Sequence, residues 1–415
     1  MTKQKHFYLD HQIIRSRCDQ DSYKFSMAQG VFHNYTDVVV RYELTCRGEG
    51  VDLAKYAPFI EAEIKKMSEL RFLDGEIEGM GSNLPFLKND FLQYLRGSIL
   101  NPDYVTITED ESVRGGLSIV IEGPWLETIW FEVPILAIIS EVYILDQLYQ
   151  SGRTESEALE EARETLAEKI YKACKIYGFD EFPNFADFGT RRRASVSIHR
   201  ELVGFLNTEY NCCIGTSNVM LGLENNMKIV GTMAHEWLMA HAAFTRFDLS
   251  QRMALDVWQK EYRDQLGVAL SDTYTTDFFL KDFDGLFAKS FKGVRQDSGD
   301  PVEVGYKFIR HYESFGIDPM TKQIIFSDSL NFDKIAMLAK EFEGKIQAGF
   351  GIGTCLTNDI GIKPLNIVIK MSYAQRGNNV WYPMIKLSDV PGKTMCKDKE
   401  YAEFVRKIIK ERIAS

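Results

Sequence analysis

The chain has 415 residues, 45% of them hydrophobic and 26% charged, with a formal net charge of −10. A chain of this length buries a large core and is expected to hold two domains, or one large domain with an appendage. Its acidity excludes a protein that works by non-specific attraction to nucleic acid or to an anionic membrane. Seven cysteines, at 18, 46, 174, 212, 213, 355 and 396, form no CxxC pair, so neither a disulfide framework nor a zinc knuckle is indicated. The N-terminus MTKQKHFYLD lacks the apolar stretch of a signal peptide. The most apolar run, 133–145, contains Glu141 and reads as too short to cross a bilayer. A soluble cytoplasmic protein with reduced thiols is expected.

In chain order, Val38, Val40, Tyr42, Leu44 and Cys46 alternate with more polar neighbours, the pattern of a half-buried strand. Ile60, Ile64, Met67 and Leu70 form a helical stripe. Leu117, Ile119 and Ile121 give a second alternating strand, stopped by Gly123-Pro124. Pro134 suits the first turn of a helix reaching about Tyr149. Thr154-Glu155-Ser156-Glu157 is a capping box opening a helix that Gly178 ends. From there short apolar runs end in small and polar residues before helices start: FADFGTRRR, CCIGTSN, IVGTMAHE, ALSDTY, GVRQDSGDP, IIFSDSLN and QAGFGIGT. In GVRQDSGDP, Asp300 and Pro301 with Glu303 mark a helix start. Strands alternating with helices imply a parallel sheet, and seven polar strand ends imply a (β/α) barrel working at its C-terminal face. A doubly wound open sheet is the alternative. After Gly361 the alternation of Ile367, Ile369 and Met371 returns, followed by a hairpin-like Gly377-Asn378-Asn379 and a terminal helix over 399–413. The expected organisation is an N-terminal α+β domain, 1–140, completed by 361–415, and a barrel domain, 141–360.

The strand ends carry the chemistry. In IVGTMAHEW, His235 opens an apolar run at a helix mouth, where an imidazole can act as base, ligand or phosphate acceptor. A histidine held in a helix cap is the plain alternative. His241 lies six residues on, about 240° round the helix, so a zinc pair is not expected. GFGIGT, with Gly353 and Thr354, could let backbone amides approach a phosphate, or simply turn. Arg191-Arg192-Arg193 at a strand end of an acidic protein could face phosphate or carboxylate, and Arg295 with Asp297 repeats that pairing. Asp272, Asp297, Asp300 and Asp328 are helix caps, sugar ligands or Mg²⁺ ligands, since Mg²⁺ takes one or two carboxylates plus substrate oxygens. Tyr23 could stack on a flat ring or be ordinary core.

Together these segments, with CDQDSYKFSM, YELTCRG, GPWLETIWFEVPILAIISE and IKLSDVPGK, span nearly the whole chain and resemble the bacterial nicotinate phosphoribosyltransferases. The resemblance implies an irregular α/β barrel of the type II phosphoribosyltransferase kind beside an α+β domain built from both termini. It implies a homodimer with shared active sites. The reaction implied joins nicotinate to phosphoribosyl pyrophosphate and hydrolyses ATP alongside, formally a ligase of NAD salvage, with Mg²⁺. His235 would carry a transient phosphate. Tyr23, from the neighbouring subunit, and Phe188 would sandwich the pyridine ring. Arg191 and Arg295 would hold the pyrophosphate end and help place the carboxylate, and Asp297 and Asp328 the ribose or its metal, with Asp272 nearby. Gly353 and Thr354 would cradle the 5′-phosphate. Arg47 and Lys370 match residues that reach the phosphates across a dimer in a nicotinamide-using relative. That relative has an aspartate in the loop matching Gly215–Asn218. Here Thr216, Ser217 and Asn218 offer neutral donors, which favours the acid over the amide. It also has an arginine where this chain reads Asn358. A nicotinamide- or quinolinate-using transferase and a non-catalytic binding protein are the other readings.

Overall fold

The computed structural model describes residues 12–377 and 380–414. The N-terminal strands are β1 (Val38–Cys46), β2 (Val105–Glu109) and β3 (Leu117–Pro124). Seven short strands follow: β4 (Phe185–Asp187), β5 (Cys213–Thr216), β6 (Lys228–Ile229), β7 (Val268–Leu270), β8 (Gly293–Gln296), β9 (Gln323–Phe326) and β10 (Gln347–Ile352). The last two are β11 (Ile367–Arg376) and β12 (Tyr382–Pro383).

The alternation read in β1 and β11 is the alternation of burial in the structure. β11 pairs antiparallel with β1, from Val38 opposite Arg376 to Cys46 opposite Ile367, and β3 pairs with β1 on its other edge. The resulting sheet runs β12-β11-β1-β3-β2, so both ends of the chain build one layer. Asn378 and Asn379 of the expected hairpin, and the N-terminal segment read for a signal peptide, lie outside the described residues.

The seven polar strand ends all belong to one parallel sheet, ordered β6-β5-β4-β10-β9-β8-β7. Read round a circle, this is chain order, with β10 joining β4 and a seam between β7 and β6. A flat sheet would hold its outer strands about 29 Å apart, six spacings of roughly 4.8 Å. Instead His235, just beyond β6, hydrogen-bonds Thr273, just beyond β7, at 3.0 Å, because the wall curls into a half-barrel. The open-sheet alternative is excluded. The local signals hold too: Thr154 and Glu157 form the capping box, Gly178 closes that helix at φ 72°, and Asp300 caps Pro301–Ser314.

The apolar run lies in the helix Glu132–Ser151. The continuous stretch Trp125–Ser151 has 27 residues, so length alone does not exclude a membrane span, contrary to the sequence reading. Its placement decides the matter: 89% of its most apolar window is buried inside the protein, as in a core helix. The expected boundary at 140/141 falls within this helix, and one apolar cluster includes residues of both sheets. Arg193 anchors the helix. Wholly buried, it grips Asp19 with both terminal nitrogens at 2.7 and 2.8 Å and lies 3.6 Å from Glu141. Removing it takes the counter-charge from two buried carboxylates, so Arg193→Ala should lower stability by about 3–5 kcal/mol. Urea unfolding tests this, and a change under 1 kcal/mol would mean that the carboxylates find other partners.

Candidate active site

The rim begins with the N-terminal helix Ser22–Asn34, which docks on the barrel of its own chain. Ser22 N donates to Ser217 O at 2.7 Å and Ser22 Oγ to Val230 O at 2.5 Å. Gly231 permits this approach: at φ 149°, a Cβ there would fall 2.3 Å from Ser22 Oγ. Tyr23 is thereby placed under Arg191, whose guanidinium lies 5.7 Å from the ring centre. Lys370 stands 3.5 Å from Glu132, and Arg191 stands 4.0 Å from the same carboxylate. Arg47 is close enough to Arg192 to disfavour its charge. Within the one chain, the docked helix sets Tyr23 against Arg191, β11 sets Lys370 beside the Glu132 carboxylate that Arg191 also faces, and Arg47 follows directly on β1.

The arginine run divides by environment. Arg191 faces Asp21 at 3.4 Å and keeps about a third of its side chain exposed. Arg192 gives its carbonyl to Asn358 Nδ2 at 2.9 Å. Arg193 is the core anchor described above. Asn358 is itself buried by that bond and braces the turn. Thr357 Oγ1 donates to Gly189 O at 3.0 Å, and Ala194 N to Thr357 O at 2.9 Å. Phe188 packs flat on Gly351, where a Cβ would meet its ring at 2.3 Å, and Gly353 sits against the Phe188 carbonyl. The aromatic turn 188–194 and the glycine turn with Gly353 and Thr354 are thus one braced unit.

Thr216, Ser217 and Asn218 do not offer free donors. Thr216 Oγ1 donates to Asp187 at 2.6 Å, Ser217 Oγ to Asp21 at 2.7 Å, and Asn218 Nδ2 to Asp19 at 2.7 Å. All three are buried, and these bonds hold the rim in shape.

At the seam His235 is 4% exposed. Nδ1 meets Thr273 Oγ1 at 3.0 Å. Nε2 meets Asp297 Oδ2 at 2.9 Å and Lys386 Nζ at 2.8 Å, with Asp272 Oδ1 at 3.8 Å. Burial and the Lys386 ammonium press the imidazole pKa down to about 4 against the pull of both aspartates. Burial alone would raise Asp297, but His235, Lys386 and Arg295 hold it well below the usual carboxylate range. A neutral imidazole thus stands beside an ionised carboxylate. Tyr23 Oη, Arg295 Nε and Asp272 Oδ1 are buried atoms of this rim without a hydrogen-bond partner in the protein.

His241 is no partner for His235. Its Nδ1 donates to Trp237 O at 2.6 Å and its Nε2 accepts from Tyr35 Oη at 2.9 Å. Asp328 is paired with Lys393 at 2.5 Å, and the same ammonium lies 3.5 Å from the Asp297 carbonyl oxygen. His235, Asp272 and Asp297 form the close group, and Lys386 already supplies a cation to it. Asp297 and the orphaned Asp272 oxygen suit Mg²⁺, which prefers oxygen, and the imidazole does not. Lys386, Lys393 and Thr273 escaped the sequence reading, although both lysines lie in IKLSDVPGK. Nothing local distinguishes them from surface lysines.

A parallel barrel that gathers arginines, lysines and acids round a neutral imidazole on its C-terminal rim is a barrel enzyme for anionic substrates. Residues 183–412 match the model of the nicotinate phosphoribosyltransferase family, and residues 18–140 match that of its N-terminal domain. The chain belongs to the nicotinate phosphoribosyltransferase family. It is 43% identical over 402 residues to the nicotinate phosphoribosyltransferase of Ralstonia nicotianae, covering 95% of this chain and 99% of the relative. With that of Burkholderia orbicola it shares 44% over 401 residues, 95% and 96% of the two chains. The crystal structure of the Porphyromonas gingivalis nicotinate phosphoribosyltransferase superposes with a TM-score of 0.88 at 32% identity, covering 96% of this chain and all of the other. That of the Vibrio cholerae enzyme gives 0.88 at 37%, covering 96% and 94%.

A lowered histidine pKa means that the unfolded chain binds the proton more readily. The stability contributed by His235 is therefore complete above about 6.5 and lost as pH falls towards 4. NMR titration should find the His235 ring neutral down to about pH 5, and Lys386→Met should move its midpoint upward. A ring that titrates at 6.5 in both proteins would overturn this electrostatic picture.

Proposed function

We propose that this chain is an ATP-coupled nicotinate phosphoribosyltransferase of NAD salvage. It would join nicotinate to phosphoribosyl pyrophosphate, releasing nicotinate mononucleotide and pyrophosphate, and would hydrolyse ATP to ADP and phosphate through a phosphorylated His235. The observation that carries the reading is the buried, neutral His235 held against ionised Asp297 at the rim. An imidazole must be unprotonated to attack a phosphoryl group.

In this scheme Tyr23 and Phe188 bracket the pyridine ring, and Arg191 with Lys370 attracts its carboxylate. The ring nitrogen attacks C1 of the ribose while the bond from C1 to the pyrophosphate oxygen breaks. Positive charge grows on the sugar, where Asp297 and Asp272 stand. Negative charge grows on the leaving group, where Arg191, Arg295, Arg47 and the rim lysines stand. The turn of Gly353 and Thr354 receives the 5′-phosphate. Mg²⁺, held by Asp297 and Asp272 with substrate oxygens, would neutralise further charge on the pyrophosphate. Attack of an imidazole nitrogen on the γ-phosphorus of ATP releases ADP, and water later returns the imidazole and free phosphate. Selection of the acid over the amide rests on the cations, because the neutral donors are engaged internally.

A homodimer, as the resemblance implies, would duplicate this site. Seven free cysteines suit the reducing cytoplasm, where we place the protein. The buried helix supports no membrane role.

His235→Asn should leave a slow transfer that ATP no longer stimulates, and should abolish the acid-labile phosphate that mass spectrometry detects after brief exposure to ATP. Full ATP-stimulated turnover in that variant would refute the role. Arg295→Ala should weaken transition-state stabilisation by about 2–4 kcal/mol, read as a fall in kcat/KM for phosphoribosyl pyrophosphate. Unchanged kinetics would make Arg295 a structural residue.

A further inference from the structure

Behind the rim lies a set of buried charges that the reaction leaves unused. Lys24, with no exposed surface, stands 2.7 Å from Glu132 Oε2 and in direct contact with the carboxylate of Glu236. Glu236 also accepts from Tyr42 Oη at 3.2 Å and Trp125 Nε1 at 3.3 Å, and it directly follows His235 in the helix His235–Ala240. The other oxygen of Glu132 faces Lys370 at 3.5 Å and Arg191 at 4.0 Å. One line of contacts therefore leads from the helix that carries His235, through Glu236, Lys24 and Glu132, to the two cations assigned to the substrate's acid group.

Stability alone does not account for this line. Apolar residues of similar volume usually replace a buried ion pair without loss. Trp125, Trp237, Tyr35 and Phe244 already pack together close by, so an apolar solution was at hand. What ion pairs add is geometry, because charges must stay within reach of their partners while apolar groups can slide. Glu132 satisfies three cations from three separate elements, so a shift of Lys24 changes what it offers the other two.

Resting on the reading of His235 as a phosphoryl acceptor, we propose that Lys24 is a positioning residue which transmits the state of His235 to Arg191 and Lys370. Phosphorylation adds close to two negative charges at the helix mouth. The helix and Glu236 respond together, Lys24 follows Glu236, and Glu132 re-aims the two cations at the substrate. ATP then acts on affinity at a distance from the phosphoryl group itself.

The test compares the full-length wild type with Lys24→Met, Lys24→Arg and Glu236→Gln. KM for nicotinate and for phosphoribosyl pyrophosphate is measured with and without ATP, beside ADP released per nicotinate mononucleotide formed and acid-labile phosphate on the protein. In Lys24→Met we expect phosphorylation and ATP-free turnover to persist. ATP should no longer lower KM, and the ratio of ADP to product should rise severalfold. Lys24→Arg should restore part of the ATP effect. Glu236→Gln keeps the shape and leaves Lys24 paired with Glu132, so it should show a smaller version of the same uncoupling, and it decides the matter if Lys24→Met does not fold. A normal ATP effect on KM and a normal ratio in these variants would overturn the proposal, as would equal losses with and without ATP. A wild type indifferent to ATP would remove the phosphohistidine reading and this proposal together. A responsive wild type with responsive variants would remove the proposal alone.

Discussion

The contact between His235 and Asp297 across the barrel seam is the constraint on which the other features depend. Both partners stay deprotonated, the ring thereby neutral and the carboxylate thereby charged. One environment achieves both. Burial and Lys386 lower the imidazole to about 4, and the same ammonium, with Arg295, keeps Asp297 ionised. The lysine is the economical element, because a single positive charge moves both equilibria in the required direction.

The rest of the rim is preorganised by internal bonds. Asp187, Asp21 and Asp19 each take a donor from the GTSN loop, and the two turns at 188–194 and 353–358 are tied by hydrogen bonds in both directions. A rim whose neutral donors are already used cannot solvate a carboxylate with them. Under the proposed function, recognition of the acid falls to the charges of Arg191 and Lys370.

The sequence made the architecture legible wherever a signal was local. Strand alternation, the capping box, Gly178 and the polar strand ends each carry their cause within a few residues, and the barrel follows from their order. The partners of individual side chains were not legible, because a partner is a tertiary fact. Thr216, Ser217 and Asn218 read as free donors until Asp187, Asp21 and Asp19 came into view. The lysine that pairs with Asp328, Lys393, was equally invisible. Lys24 sits in SYKF like any helical lysine, and only the distant Glu132 and Glu236 reveal that it is charged and wholly buried.

A ring of strands cut at one place is stiff everywhere except at the cut. Between β7 and β6 no backbone ladder resists widening among the described residues, and what spans the gap is side chains: an imidazole, a hydroxyl, a carboxylate and an ammonium. The compliance of the wall is thus governed by groups whose charge chemistry can alter, while the six ladders elsewhere keep their register. Such a molecule has the build of a clasp, with its hinge in hydrogen-bonded backbone and its catch in ionic side chains.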